Sequence, residues 1–175
     1  ATTTAFDALT VATTAVESLI GYAEGTAPAP RYRLWDGTTW GDEEQALPVG
    51  AAINWVVVKP GETREEYLMG TLGTDGDVNV QVYQNGAWGD MQEITNAVPN
   101  TTARGFDITY ENVSGDAIVV SCDGDADPTY YVWDGEWVLG GTINVASAGN
   151  CAWIRLISDP TSDEIIMISR DSSGT

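Results

Sequence analysis

Apolar residues run along this chain in short segments of four to seven, rich in Val, Ile, Thr and Tyr and broken by Gly and Pro. Segments of that length and composition predict β-strands, since helices need longer periodic stretches. Four segments open on an aromatic residue: Phe6-Asp-Ala-Leu-Thr-Val, Trp55-Val-Val-Val, Phe106-Asp-Ile-Thr-Tyr and Trp153-Ile-Arg-Leu-Ile. These aromatics are spaced by 49, 51 and 47 residues. Twelve residues after each begins a second apolar segment, at Ser18, Tyr67, Ile118 and Ile165. Polar turns lie between, among them Lys59-Pro-Gly-Glu and Ser158-Asp-Pro-Thr-Ser-Asp. Clusters of Pro, Gly, Asn and Asp between β-branched runs predict hairpins. The stretch from Ala12 to Ile20 taken alone invites a helix, but its alignment with the other turns predicts a hairpin.

A second hairpin follows the first. Arg31 to Trp40, Val80 to Trp88 and Tyr130 to Trp137 align on an Asp-Gly or Asn-Gly turn, which tolerates positive φ at both central positions. Trp40, Trp88 and Trp137 recur at intervals of 48 and 49 residues. The unit is thus four antiparallel strands, here a, b, c and d, of about 49 residues. The chain reads as one all-β repeat domain with units 1–50, 51–101 and 102–148 and a half unit 149–175. A four-stranded sheet cannot cover both its faces, so neighbouring units must stack. Phe6, Trp55, Phe106 and Trp153, with Trp40, Trp88 and Trp137, are expected to be the interlocking core side chains of that stack.

The unit resembles a β-propeller blade. The turn Trp35-Asp-Gly-Thr-Thr-Trp40 is similar to the Asp-box of sialidase-like propellers, which also joins the third strand to the fourth. It resembles more closely the Trp-Asp-Gly repeats of large secreted bacterial surface proteins. It lacks the leading Ser or Thr of the Asp-box, and the second unit has Gln84-Asn85-Gly86 in place of Trp-Asp-Gly. The resemblance implies fold more than function. Closed propellers use 4–8 blades. Three and a half units therefore lead to the expectation of either further repeats of a longer chain or a homo-oligomer whose other copy covers the open edge.

Composition narrows the function. With 26 acidic against 7 basic residues the net charge is −19, which repels phosphate backbones and disfavours nucleic acid. No apolar run approaches the ~20 residues of a membrane span. An acidic surface with a single lysine, Lys59, suits an extracellular or cell-surface setting. The absence of Met before Ala1 fits a processed terminus, a fragment or Met removal.

Candidate chemistry is sparse. Histidine is absent, which removes Ser-His-Asp and Cys-His catalysis. Cys122 ends strand b of the third unit and Cys151 precedes strand a of the fourth. In neighbouring blades both lie at one rim, so they are candidates for a disulfide, with two buried free thiols as the alternative. Asp123, Asp125 and Asp127 have the alternate spacing of a calcium loop but lack its following Gly and distal Glu. An acidic hairpin tip is the plainer reading, and no other cofactor is indicated. Asp36 and Asp134 sit nearly one hundred residues apart in a repeat position, which points to turn geometry rather than to paired catalytic acids. Asn100 and Asn112 begin glycosylation sequons and mark surface loops. The expected role is a structural or assembly module, such as a filament subunit, that associates through repeat faces and strand edges. The alternative is a lectin- or adhesin-like propeller binding a glycan or receptor, and a third is a virion fibre or decoration protein. No enzymatic activity is expected.

Overall fold

The computed structural model describes residues 9–15, 17–146 and 149–173. Phe6 lies outside them. Among the described residues there are fourteen strands and no helix. The first unit gives β1 (Leu9–Thr13), β2 (Ser18–Tyr22), β3 (Arg31–Trp35) and β4 (Glu44–Gln45). The second gives β5 (Ile53–Gly61), β6 (Glu66–Gly73), β7 (Val78–Gln84) and β8 (Ala87–Thr95). The third gives β9 (Phe106–Tyr110), β10 (Ala117–Ser121), β11 (Thr129–Trp133) and β12 (Trp137–Thr142). The fourth contributes β13 (Cys151–Ser158) and β14 (Ile165–Asp171). Each full unit is one antiparallel meander, and the fourth is a hairpin. Strands β1, β5, β9 and β13 neighbour one another in turn. They form the inner wall of a fan of propeller blades, three complete and one half.

Side chains alternate across a strand, so each blade has a face toward the blade before it and one toward the blade after it. Three buried clusters occupy the three junctions between blades. Leu19 and Tyr32 of the first blade meet Val56, Val58, Tyr67 and Met69 of the second. Leu68, Leu72, Val80 and Val82 of the second meet Phe106, Ile108, Val119 and Trp133 of the third. Val120 and Cys122 of the third meet Cys151, Ile154 and Leu156 of the fourth.

Close approach depends on glycine. A Cβ on Gly21 would lie 2.8 Å from Val58 Cγ2, and one on Gly70 would lie 2.6 Å from Phe106 Cε2. The missing side chains let the inner strand of the next blade press onto β2 and β6.

The aromatic series departs from its expected equivalence. Phe106 pairs with Ser121 and packs backward over Gly70. Trp55 pairs with Leu72 and Trp153 with Arg170, which places both on forward faces. Bulges beside Trp55 and Trp153 shift their register, and a one-residue shift exchanges the faces of a strand. Trp40 is not a core residue among the described residues, being 46% exposed. Its counterparts lean on the preceding blade. Trp88 stands edge-on to Tyr32 with ring centroids 5.6 Å apart, and Trp137 donates Nε1–H to the Asp90 carbonyl at 2.7 Å. Trp40 belongs to the first blade, and no described blade stands before it. Strand β5 runs through the expected turn at Lys59-Pro60-Gly61, so the reversal falls between Gly61 and Glu66.

The same pairing recurs across the outer hairpins. Trp35 meets Trp40 at 5.4 Å, Tyr83 meets Trp88 at 5.2 Å and Trp133 meets Trp137 at 5.2 Å between ring centroids. Tyr83, not Gln84, therefore fills the slot of Trp35 and Trp133. The second blade turns on Asn85 and Gly86, whose φ values of 52° and 80° fit the tight primed hairpin.

Gly70→Val should lower unfolding free energy by about 1–3 kcal/mol through overpacking against Phe106. Gly89→Ala should be close to neutral, because nothing lies within 4 Å of its Cβ position. Chemical denaturation of the two variants checks the pair.

Candidate functional site

The hairpins joining the two inner strands of each blade project side by side at one rim, and clefts open between them. The first cleft, about 530 Å³, lies between Thr14, Ala15 and Glu17 of the first blade and Glu62 and Glu65 of the second. Tyr67 forms its floor and donates its hydroxyl to the Glu17 carbonyl at 2.9 Å. The second cleft, about 360 Å³, lies between residues 59–63 of the second blade and Thr109 to Asn112 of the third, with Ser158 and Pro160 of the fourth at its edge. Exposed Glu62 borders both clefts.

The second cleft is held in shape by polar contacts between blades. Arg64 donates Nε–H to the Gly115 carbonyl at 2.7 Å and pairs with Asp116 at 2.6 Å. Beneath it lies Glu66, a buried carboxylate at the start of β6. Its Oε1 accepts from the Tyr110 hydroxyl at 3.0 Å and from Trp133 Nε1–H at 2.9 Å, both from the next blade. Burial pushes the Glu66 carboxyl above its ordinary range, against the pull of these two donors and of Arg64. Tyr110 is raised well above a normal phenol by burial and by the Glu66 charge.

Sequence reasoning missed Glu66, yet the signal exists. Glu17, Glu66, Asp116 and Glu164 recur at intervals of 49, 50 and 48 residues, each at or just before the second strand of a blade. An acid at that place meets the tyrosine or arginine of a neighbouring blade in two of the four cases: Glu66 with Tyr110, and Asp116 with Arg64.

The other singled-out residues have structural surroundings. Cys122 and Cys151 form a disulfide with Cα atoms 5.2 Å apart, tying the third blade to the fourth. Closing a loop of 29 residues contributes on the order of 3 kcal/mol in the chain-entropy account. Asp123, Asp125 and Asp127 do not converge. Asp123 accepts from Asp125 N–H at 3.2 Å and Thr129 Oγ1–H at 2.6 Å, whereas Asp127 accepts from Val145 N–H at 3.0 Å. Among the described residues no cluster of three acidic or cysteine side chains is placed to hold a metal ion. Asp36 accepts from the backbone N–H groups of Thr39 at 2.7 Å and Thr38 at 2.8 Å, which holds its carboxyl well below the usual range. Asp134 accepts from Glu136 N–H at 3.3 Å, so both aspartates shape turns.

This fold is that of a β-propeller sector. No protein-family profile matches the chain, and no curated protein matches it in sequence. Solved structures do match in fold. The six-bladed, fucose-recognising lectin of the fungus Aleuria aurantia superposes with a TM-score of 0.60 at 14% identity, over 90% of this chain and 50% of the lectin. A mutant of that lectin in complex with Fucα1-6GlcNAc gives a TM-score of 0.64 at 14% identity, over 98% of this chain and 57% of the lectin. A triple arginine-to-alanine mutant of AofleA from Arthrobotrys oligospora gives 0.57 at 12% identity, over 96% and 52%. The chain thus spans about half the length of these proteins.

The raised Glu66 carboxyl has a defined pH signature. The folded state holds that proton more tightly than the unfolded chain, so this group's contribution to stability is greatest below its unfolded value and declines as pH rises through the raised one. Glu66→Gln should remove that decline, so its melting temperature relative to wild type should rise between pH 4 and pH 7. Glu66→Ala should show the same relative rise, and at pH 4 it should cost about 2–3 kcal/mol by stranding two buried donors. Thermal melts across pH measure both.

Proposed function

We propose that this chain is a glycan-binding propeller module whose sugar sites are the clefts between blades. The observation that carries this reading is the pair of rim clefts, set between blades of a fold shared with fucose-recognising propeller lectins. Sugar hydroxyls need planar acceptors and donors at fixed positions in a largely preformed pocket. Glu17, Glu62 and Glu65 offer carboxylates in the first cleft, and Glu62, Glu111 and Asn112 offer carboxylates and an amide in the second. Acidic walls repel uronic and sialic acids and leave neutral sugars as ligands. The site binds without turning the ligand over. The disulfide and the acidic surface suit a secreted or cell-surface location.

Assembly is a second reading, and one observation favours it. The end faces of the fan expose apolar side chains at the positions that pack between blades elsewhere: Leu9 and Val11 at one end, Ile157, Ile166 and Ile168 at the other. A second copy of this chain, docked head to tail, would cover both. Sedimentation equilibrium should then give a mass above that of the 18.7 kDa chain, and a stable monomer at micromolar concentration removes this reading.

For glycan binding, the test is a glycan array followed by calorimetry with L-fucose and other neutral sugars. Wild type should bind neutral glycans, and Glu62→Ala should weaken that binding about tenfold, by loss of charged hydrogen bonds, with an unchanged melting temperature. Failure of wild type to bind any arrayed glycan, or full binding by Glu62→Ala, contradicts the assignment to these clefts.

A further inference from the structure

Away from the rim clefts, a third cavity of about 460 Å³ lies along the inner strands. Residues Leu9 to Thr13 of β1 form one wall, and Val56 to Pro60 of β5 form another. Arg104 and Arg155 complete it. Three of the chain's seven basic side chains therefore border one cavity, in a molecule of net charge −19. One described carboxylate stands among them. Asp107, fully buried, lies 3.4 Å from Arg104 and 3.8 Å from Arg155, and its Oδ2 accepts from Leu156 N–H at 2.8 Å.

Both arginines pair with that carboxylate, whereas the lysine amine does not. The Lys59 amine makes no hydrogen bond or ion pair with any described residue, though the side chain is half-buried at the cavity wall. Burial holds its amine below the ordinary lysine range. Asp107 opposes this, while the Arg155 and Arg104 charges deepen it. Bringing like charges together in a partly dry site is unfavourable unless something negative joins them. The guanidinium of Arg155, 44% exposed, is open to such a group. Guanidinium and ammonium groups together match a compact anion with several oxygen acceptors.

We propose that this axial cavity is a binding site for a small oxyanion, a sulfate, phosphate or carboxylate group, held by Lys59 and Arg155 with Arg104 behind them. The site is separate from the rim clefts: Glu62 does not border it, and Arg155 borders neither cleft. Lys59 touches both regions, so Arg155 is the residue that distinguishes them.

The experiment compares melting temperatures in millimolar sodium sulfate, sodium phosphate or sodium malonate with those in sodium chloride at equal ionic strength. At about ten times the dissociation constant, a site of this kind raises the melting temperature of a domain this size by about 3–5 °C. Arg155→Gln and Lys59→Gln should each lose most of that rise. Glu62→Ala and Arg33→Gln should keep it, the latter because Arg33 lies on β3 away from the cavity. Equilibrium dialysis with radiolabelled phosphate supplies a readout independent of folding stability, with one anion bound per wild-type chain and at least tenfold weaker binding by Arg155→Gln. Which anion gives the largest shift names the source. No shift beyond chloride with any of the three anions, or an equal shift in Arg155→Gln, overturns the proposal, as does dialysis that finds the same binding in that variant.

Discussion

The blades of this protein can approach one another because side chains are missing at the first two junctions. Gly21 and Gly70 stand where a Cβ would collide with Val58 or Phe106 of the next inner strand. The apolar clusters at those junctions form around these contacts, and the sheets face each other closely enough to exclude water. At the third junction Val120 fills the corresponding place and a disulfide spans the gap. The fan thus changes its means of holding blades together along its length, from backbone proximity to a covalent tie.

Much of this was legible in the sequence. Segment lengths and the 49-residue period identified strands, hairpins and blades, because hydrogen-bonded ladders leave a two-residue alternation and turns leave Gly, Asn and Asp. What could not be read was which face each residue occupies. Trp55, Phe106 and Trp153 look equivalent by spacing, yet bulges send the tryptophans forward while Phe106 points back. Residue counting does not register a bulge. Nor does it register neighbours, which is why Trp40 is exposed although its counterparts Trp88 and Trp137 pack against the preceding blade. The calcium spacing of Asp123, Asp125 and Asp127 was equally indifferent to direction, since the carboxylates of Asp123 and Asp127 accept from separate segments, Thr129 and Val145. Glu66 escaped notice because an acid at a strand start reads as solvated until the tyrosine and tryptophan of the next blade close over it.

Charge is distributed against the net balance. Acids line the rim clefts, while Lys59, Arg104 and Arg155 gather near the inner strands around one buried aspartate. Separating the signs in this way gives the two regions opposite electrostatic preferences at a distance short compared with the size of the fold. A neutral ligand at the rim and an anion at the axis would not compete for the same groups, apart from Lys59.

The inner hairpins are not all of one length. Four residues link Thr13 to Ser18 and Gly61 to Glu66, whereas six link Tyr110 to Ala117 and Ser158 to Ile165. Rotating the fan by one blade therefore does not reproduce it. A polymer spanning the second and third blades would meet a four-residue turn followed by a six-residue one, and reversing its direction would exchange them. Such asymmetry would let the rim distinguish the two directions of a bound polymer without any single contact that does so.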